Sequence, residues 1–537
     1  LDLAVTAAPP GATNLSRAAA GMGAAAAVSR AFGGLRMVVI AAVLGTTYLG
    51  NTFQSSNSVS NVLFELLAAG ALSAVLVPTF VALLQRGPQQ RAEEVAGGVL
   101  SLALVVLGAV SLIGIVFAPQ IAALLATGVD DPVIAAQQRE LSTFLLRFFI
   151  PQVLLYAIGA VTTAALHARN RFALVSAAPI ANTVVLVVAM AVFSRMAGPD
   201  PGLELDTGEQ LVLALGGTLG VAAFVGVPAI ALRASGFHLR LGARRAWRDA
   251  DVRGLVRLSG WAGLQHAGTG ILLGAALIAG GGVQGGVVAY QLAMVVFLAP
   301  YGIVAQPIHT AVLPRLAAEA HRGDSQALRA SARWATDAMV TLTLPLAALL
   351  TACAAPVMSV LAFGEAAEGD GPELLSAALV GLAIGVPVYG GFLLLTRISY
   401  ALGDSRTPAI ASLSSAVAGG VAMLVAAASV DGSGRLVVVG VAHSLAYALG
   451  TAGLALWLRP QVGSIFHPAQ LVPLVAAVAA GGLAWVAVEA WSPDGRLVTV
   501  AALAIVAAVA GGLYLLVLRA LGALPPRDPA AVEVVHG

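Results

Sequence analysis

Fourteen apolar stretches, each long enough to cross a bilayer, alternate with loops whose charge changes sign from one to the next. A spanning helix needs roughly 20 predominantly apolar residues. Such runs fall at 25–46, 58–84, 95–118, 141–167, 172–194, 211–232, 256–280, 285–312, 334–362, 374–401, 408–429, 436–458, 470–489 and 497–519. The composition agrees, with 59% hydrophobic residues, only 10% charged and a mean hydropathy of +0.92. Lipid rather than water is the main solvent of such a chain. The expected fold is an all-α polytopic membrane protein of about fourteen transmembrane helices.

The basic set of 28 residues is entirely arginine, and it sorts with the loops. Arg86, Arg91, Arg169, Arg171, the cluster Arg233, Arg240, Arg244, Arg245, Arg248, Arg253 and Arg257, and then Arg315, Arg322, Arg329 and Arg333 all fall on one side. The opposite loops carry Asp130 and Asp131, then Asp200, Glu204, Asp206 and Glu209, then Glu365, Glu368, Asp370 and Glu373. The positive-inside rule places both termini of this multi-pass protein in the cytoplasm. Anionic headgroups account for the Arg233–Arg257 cluster, so no nucleic-acid partner is expected. Cys353 has no second cysteine and reads as packing in an apolar helix. No apolar signal core precedes Arg17, so a cleaved signal peptide is not expected.

Sliding the chain against itself by 236 residues aligns Pro78, Ala82, Arg86 and Gly87 with Pro314, Ala318, Arg322 and Gly323, and Pro151, Ala165 and Leu166 with Pro387, Ala401 and Leu402. Six spans precede the join and six follow, so two six-helix lobes are expected, related by a pseudo-two-fold axis along the membrane normal, with a C-terminal helix pair added. The expected divisions are a cytoplasmic segment 1–24, an N-lobe 25–232, a basic linker 233–255, a C-lobe 256–458, the pair within 470–520 and a tail 521–537. A substrate belongs in the cleft between the lobes. Intrahelical prolines such as Pro78, Pro151, Pro300 and Pro387, and the glycine run Gly280–Gly282, mark places where helices bend or approach closely.

Arg30, Arg36, Glu65, Arg147 and Arg397 fall inside predicted spans, where a charge costs about 2.5 to 3.5 kcal/mol on the gentlest insertion scale. Each needs a partner or an aqueous cavity. Arg36 sits roughly 9 Å deeper than Arg30, too deep for its head to reach the interface easily. Two guanidinium forks on one helix suit an anionic, phosphate-bearing substrate, the alternative being an internal ion pair with Glu65. The polar, uncharged stretch from Thr46 to Asn61, with Asn51 in it, reads as interhelical, either a sugar-lined outer vestibule or an ordinary exposed loop. There is no Walker A sequence, zinc spacing or nucleophile elbow, so neither hydrolysis nor a cofactor is expected. Gln265, His266 and Asp337 are candidates for carrying a coupling proton or Na⁺, with structural roles as the alternative.

Several ordered motifs resemble the MurJ/MviN family of lipid II flippases, within the multidrug, oligosaccharidyl-lipid and polysaccharide exporter superfamily. They are Ser29-Arg30, Gly33, Arg36 and Leu44-Gly45; Gly70-Ala71, Ser73 and Val77-Pro78; Pro151 to Tyr156, Asn170-Arg171-Phe172, Ala178-Pro179 and Asn182; Leu313-Pro314-Arg315-Leu316; and Tyr400-Ala401, Asp404 and Arg406-Thr407-Pro408. They cover about Ala24 to Arg459. The resemblance implies fourteen helices, a central cationic cavity and alternating access that moves a polyprenyl-linked peptidoglycan precursor outward. It also implies first-helix arginines at Arg30 and Arg36, and cell-wall synthesis proteins as partners. The chain departs from the family's charges at Asn51, Phe64 and Val295. Substrate-binding candidates are thus Arg30, Arg36, Asn51, Glu65, Arg147 and Arg397. Coupling to an ion or to the membrane potential stays open, as do a different lipid-linked glycan, an exporter of cationic drugs and a non-transporting scaffold for wall synthesis.

Overall fold

The computed structural model describes residues 31–171, 175–242, 247–491 and 495–524. Arg30, Arg244, Arg245 and most of the expected N-terminal segment and tail lie outside the described residues. Among the described residues all regular structure is helical. Eleven helices are long and apolar enough to cross a membrane, or twelve when Gly371–Ala383 and Val386–Ala401, bent by 45°, count as one span. Two further apolar helices, Ala31–Leu44 and Leu76–Arg86, are shorter.

The first half consists of α1 (Ala31–Leu44), α2 (Tyr48–Phe64), a π-helical turn Glu65–Ala69, α3 (Gly70–Arg86), α4 (Gln89–Val116), α5 (Ala118–Leu125), α6 (Pro132–Phe149), α7 (Gln152–Ala168), α8 (Ala178–Ala197) and α9 (Thr207–Ala234). The second half runs through α10 (Ala250–Gly281), α11 (Gly286–Pro300), a second π-turn Tyr301–Ala305, α12 (Gln306–His321), α13 (Ser325–Ala352), α14 (Ala354–Leu361), α15 (Gly371–Ala383), α16 (Val386–Ala401), α17 (Arg406–Ala427) and α18 (Gly432–Val462). A terminal pair, α19 (Leu471–Ala490) and α20 (Arg496–Ala520), packs on α13 and α14.

The stretch from Thr46 to Asn61 is no loop. Its polar residues form most of α2, capped by the Thr47 hydroxyl, which accepts from the Gly50 amide at 3.1 Å, and every residue from Leu49 to Ser60 is buried. Hydropathy misreads this segment because its side chains face other protein rather than lipid. Ser60 donates to Gln152 (3.2 Å), Gln152 to Thr218 (3.2 Å) and Thr218 to the Phe148 carbonyl (3.3 Å). Inside a bundle such pairing replaces the water that polar groups would otherwise need.

The 236-residue offset reappears in the helices. The π-turn Glu65–Ala69 maps onto Tyr301–Ala305, α4 onto α13 and α5 onto α14, each with both ends in register. Pro78 and Pro314 lie inside equivalent helices, and Pro151 and Pro387 stand at equivalent breaks. In the first half α9 packs on α7 and α8, and α3 on α7; in the second, α18 gathers α15, α16 and α17. The long α10 joins the halves by packing on both α3 and α17. Within the second half, a Cβ on Gly381 would lie 2.2 Å from the Val437 carbonyl and one on Gly440 2.7 Å from Gly381, so only glycines let α15 and α18 approach this closely.

The loops segregate by sign. At one end Arg91 pairs with Asp249 (2.7 Å) and Arg169 bonds Ser235, tying the basic loops together. At the other end Asp130, Asp370, Glu373 and Asp431 share a cavity of about 480 Å³ with Arg435.

Candidate functional site

The acidic-loop end is closed between the halves. The Asn51 amide donates to the Val283 carbonyl (2.7 Å) and its oxygen accepts from the Val287 amide (2.9 Å), while Gln291 donates to Ser58 at 2.8 Å. Asn51 and Val287 are equivalent under the repeat, so the two halves meet there at the same position of each. With only 1% of its surface exposed, Asn51 joins the halves in this conformation rather than facing a substrate cavity.

Deeper in the bundle lies a chamber of about 340 Å³. The π-turn places Glu65 at its edge, where the carboxylate meets His266 Nδ1 of α10 at 2.9 Å. A π-turn adds a residue to one helical turn and re-aims the side chains around it, a device common at functional sites. Tyr301, the repeat equivalent of Glu65, lines the same chamber, with Tyr389, Tyr447 and Phe392 as further aromatic wall and Thr269, Ser412 and Ser415 as hydroxyls. Gln265 accepts from the Tyr400 hydroxyl, and its own carbonyl accepts from Ser412 at 2.8 Å. Among the described residues Glu65 pairs with His266 and not with Arg36, the described first-helix arginine of the expected ion pair.

Arg36, partly buried on α1, makes no ion pair among the described residues. Its electrostatic neighbour is Tyr156 of α7. Phe64 stacks on Tyr156 with ring centroids 5.5 Å apart, and Val295 faces α1 beside Gly34. The Arg36 guanidinium approaches Met37 Sδ at 4.0 Å, and among the described residues no carboxylate neutralises it. Arg147, in the last turn of α6 before the Pro151 break, is exposed and makes no ion pair among the described residues. Arg397 lies near His309 in the second half. No bond joins these three arginines.

Asp337 accepts from His467 at 2.7 Å and Gln470 at 2.9 Å, both in the segment leading into α19, with Arg333 at 3.9 Å. These bonds staple α13 to that segment, which favours the structural reading given to Asp337 above. Among the described residues no three His, Cys, Asp or Glu side chains converge as a metal site would require. Sequence reasoning missed Tyr156, the chamber tyrosines and His467. The repeat held one available signal, because the shift that aligns the prolines also carries Glu65 onto Tyr301.

The model of the family described as "Lipid II flippase MurJ" matches residues 40–507. The chain belongs to that family. The family is one of lipid flippases rather than enzymes, and the chain is accordingly a multi-pass membrane protein. A probable lipid II flippase MurJ from Rhizobium tropici is 26% identical over 399 residues, covering 72% of this chain and 71% of the relative. A counterpart from Synechocystis is 23% identical over 386 residues, with the same two coverages. Among solved structures, lipid II flippase MurJ in an inward closed conformation superposes with a TM-score of 0.70 at 15% identity, over 93% of this chain and 99% of that one. An inward-facing multidrug resistance MATE transporter of the MOP superfamily follows at 0.62 and 14%, over 81% and 95%. At such identities these likenesses speak for the fold alone.

Proposed function

We propose that this chain moves lipid II from the cytoplasmic to the outer leaflet by alternating access of its two halves, with both termini in the cytoplasm. Arg36 carries the reading, as an intramembrane guanidinium with no ion pair among the described residues. A charge left uncompensated there is costly, and a diphosphate offers it the matched bidentate acceptor. The glycan-bearing diphosphate cannot enter hydrocarbon unaided, so the protein holds the head while the polyprenyl tail stays in lipid. Orientation rests on the arginine-rich loops, and the expected lobes, 25–232 and 256–458, are the moving units. The membrane potential supplies about 2.3 kcal/mol per charge per 100 mV to outward movement of an anion.

The bonds of Asn51 and Gln291 close the end assigned to the outside, so this conformation belongs to the inward half of the cycle. A cationic drug is a poor fit beside an unneutralised arginine. A different polyprenyl-diphosphate glycan is the second reading, favoured by Phe64 and Val295, which are uncharged where the chain departs from the family's charges. Conditional depletion followed by scoring of lipid II in each leaflet tests the proposal. Lipid II trapped on the cytoplasmic face on depletion, and again when Arg36→Ala is the only copy, is the expected result. Unchanged sidedness under full depletion refutes it, and normal growth on Arg36→Ala favours a scaffold that does not transport.

A further inference from the structure

The chamber of about 340 Å³ contains an acid and a base contributed by opposite halves. Glu65 begins the π-turn of the first half and His266 lies midway along α10 of the second, with 2.9 Å between Oε2 and Nδ1. Their side chains are 32% and 41% exposed, so water reaches both. The remaining titratable groups on the chamber wall, among the described residues, are Tyr301, Tyr389 and Tyr447. Three further groups on the helices around α10 are engaged elsewhere. His443 of α18 is bonded to Tyr290 of α11 at 2.8 Å, Tyr400 of α16 donates to Gln265, and Arg406 of α17 stacks over Trp261. The charge of the Glu65–His266 contact therefore depends on a single proton. With Glu65 ionised and His266 protonated, an ion pair joins the halves; once the imidazole is neutral, only a hydrogen bond remains.

From this we infer that the Glu65–His266 pair is a proton-binding site whose occupancy favours the present conformation and so couples proton binding to the rocking of the halves. The proton is taken up as an imidazole N–H from water in the chamber and returned to water after the pair separates; no other bond forms or breaks. Imidazole is the side chain whose ordinary range lies between pH 5 and 8, so the test spans that interval. As the pH rises through that range the ion pair is lost, and the present conformation loses population. Because both groups are partly hydrated, the expected change in the ratio of the two conformations is about two- to five-fold.

The inference rests on the transport reading for its role, and its test is independent of transport. Spin labels at Gln90→Cys and Gln326→Cys, equivalent exposed sites at the arginine-rich end of each half, report the distance between halves in the full chain in lipid nanodiscs, with Cys353→Ala as background. From pH 5.5 to 8 the population at the low-pH distance should fall two- to five-fold. Glu65→Gln and His266→Gln should abolish this dependence, and His266→Arg, charged throughout, should hold the low-pH distribution at every pH. A distribution that does not change with pH, or a pH profile that survives in His266→Gln, overturns the inference. Lipid II accessibility, measured separately on the same samples, distinguishes the two ideas. Flipping with pH-independent distances removes only the proton site, whereas pH-dependent distances without flipping remove only the transport reading.

Discussion

At the scale of single residues, the polar side chains of α2 carry most of what hydropathy could not show. Asn51 has both of its amide functions committed across the halves, to Val283 and Val287. Asn51→Leu fits a similar volume but leaves the Val287 amide without its partner, at a cost of about 1 to 3 kcal/mol, while the Val283 carbonyl keeps its bond from the Gly286 amide. Its denaturation midpoint should fall well below that of the parent, and the acidic-loop end should become more open to thiol labelling. Arg36 was legible because a charge within an apolar run stands out in any sequence. The role of Asn51 was not, since an uncharged polar residue looks alike in a loop and in a buried seam. What distinguishes the two is a partner some 230 residues away, which periodicity does not encode. Asp337 shows the same limit, its partner His467 lying in a connecting segment with no pattern of its own.

At the scale of elements, two contacts fix pieces that hydropathy had left as linkers. The segment joining the halves lies across α4, where a Cβ on Gly97 would come within 2.1 Å of the Arg240 backbone. Beside it Arg91 holds Asp249 (2.7 Å) and Asp251. The hydrogen bonds from Arg91, outweighing partial burial, keep the Asp249 carboxyl below its usual range. A depressed carboxyl stabilises the docked linker above the unfolded pKa, near 4, and this contribution is lost as pH falls through the folded value. With both groups partly hydrated it is worth about 1 kcal/mol. Arg91→Ala and Gly97→Val should each loosen the linker at neutral pH, seen as faster amide exchange over 238–242 and a shift in Trp247 fluorescence, assigned by comparison with Trp247→Phe. In wild type that Trp247 shift should appear only on acidification below about pH 4. The Asp337 staple leads to the opposite expectation for transport. Asp337→Ala should speed amide exchange over 463–470 and leave lipid II flipping nearly intact, whereas abolished flipping would return Asp337 to the coupling machinery.

At the scale of the whole molecule, the order of apolar runs and the 236-residue repeat were readable because lipid demands long apolar helices and duplication preserves their spacing. The sequence could not show which end of the cleft is shut, since that depends on packing between distant helices. Ser58 and Gln291 form one of the bonds across the shut end, at 2.8 Å, and both are uncharged side chains on helices of opposite halves. If transport requires this end to open, a covalent bridge here must stop it without touching Arg36 or the Glu65–His266 pair. Ser58→Cys with Gln291→Cys, in Cys353→Ala, should be bridged by a short bifunctional thiol reagent with a cleavable disulfide spacer. Flipping should cease on bridging and return when a reductant cuts the spacer, while either single variant treated alike should keep its activity. Persistent flipping in the fully bridged protein would mean that substrate leaves by a route that does not part α2 from α11, and rocking of the halves would have to be abandoned as the transport step.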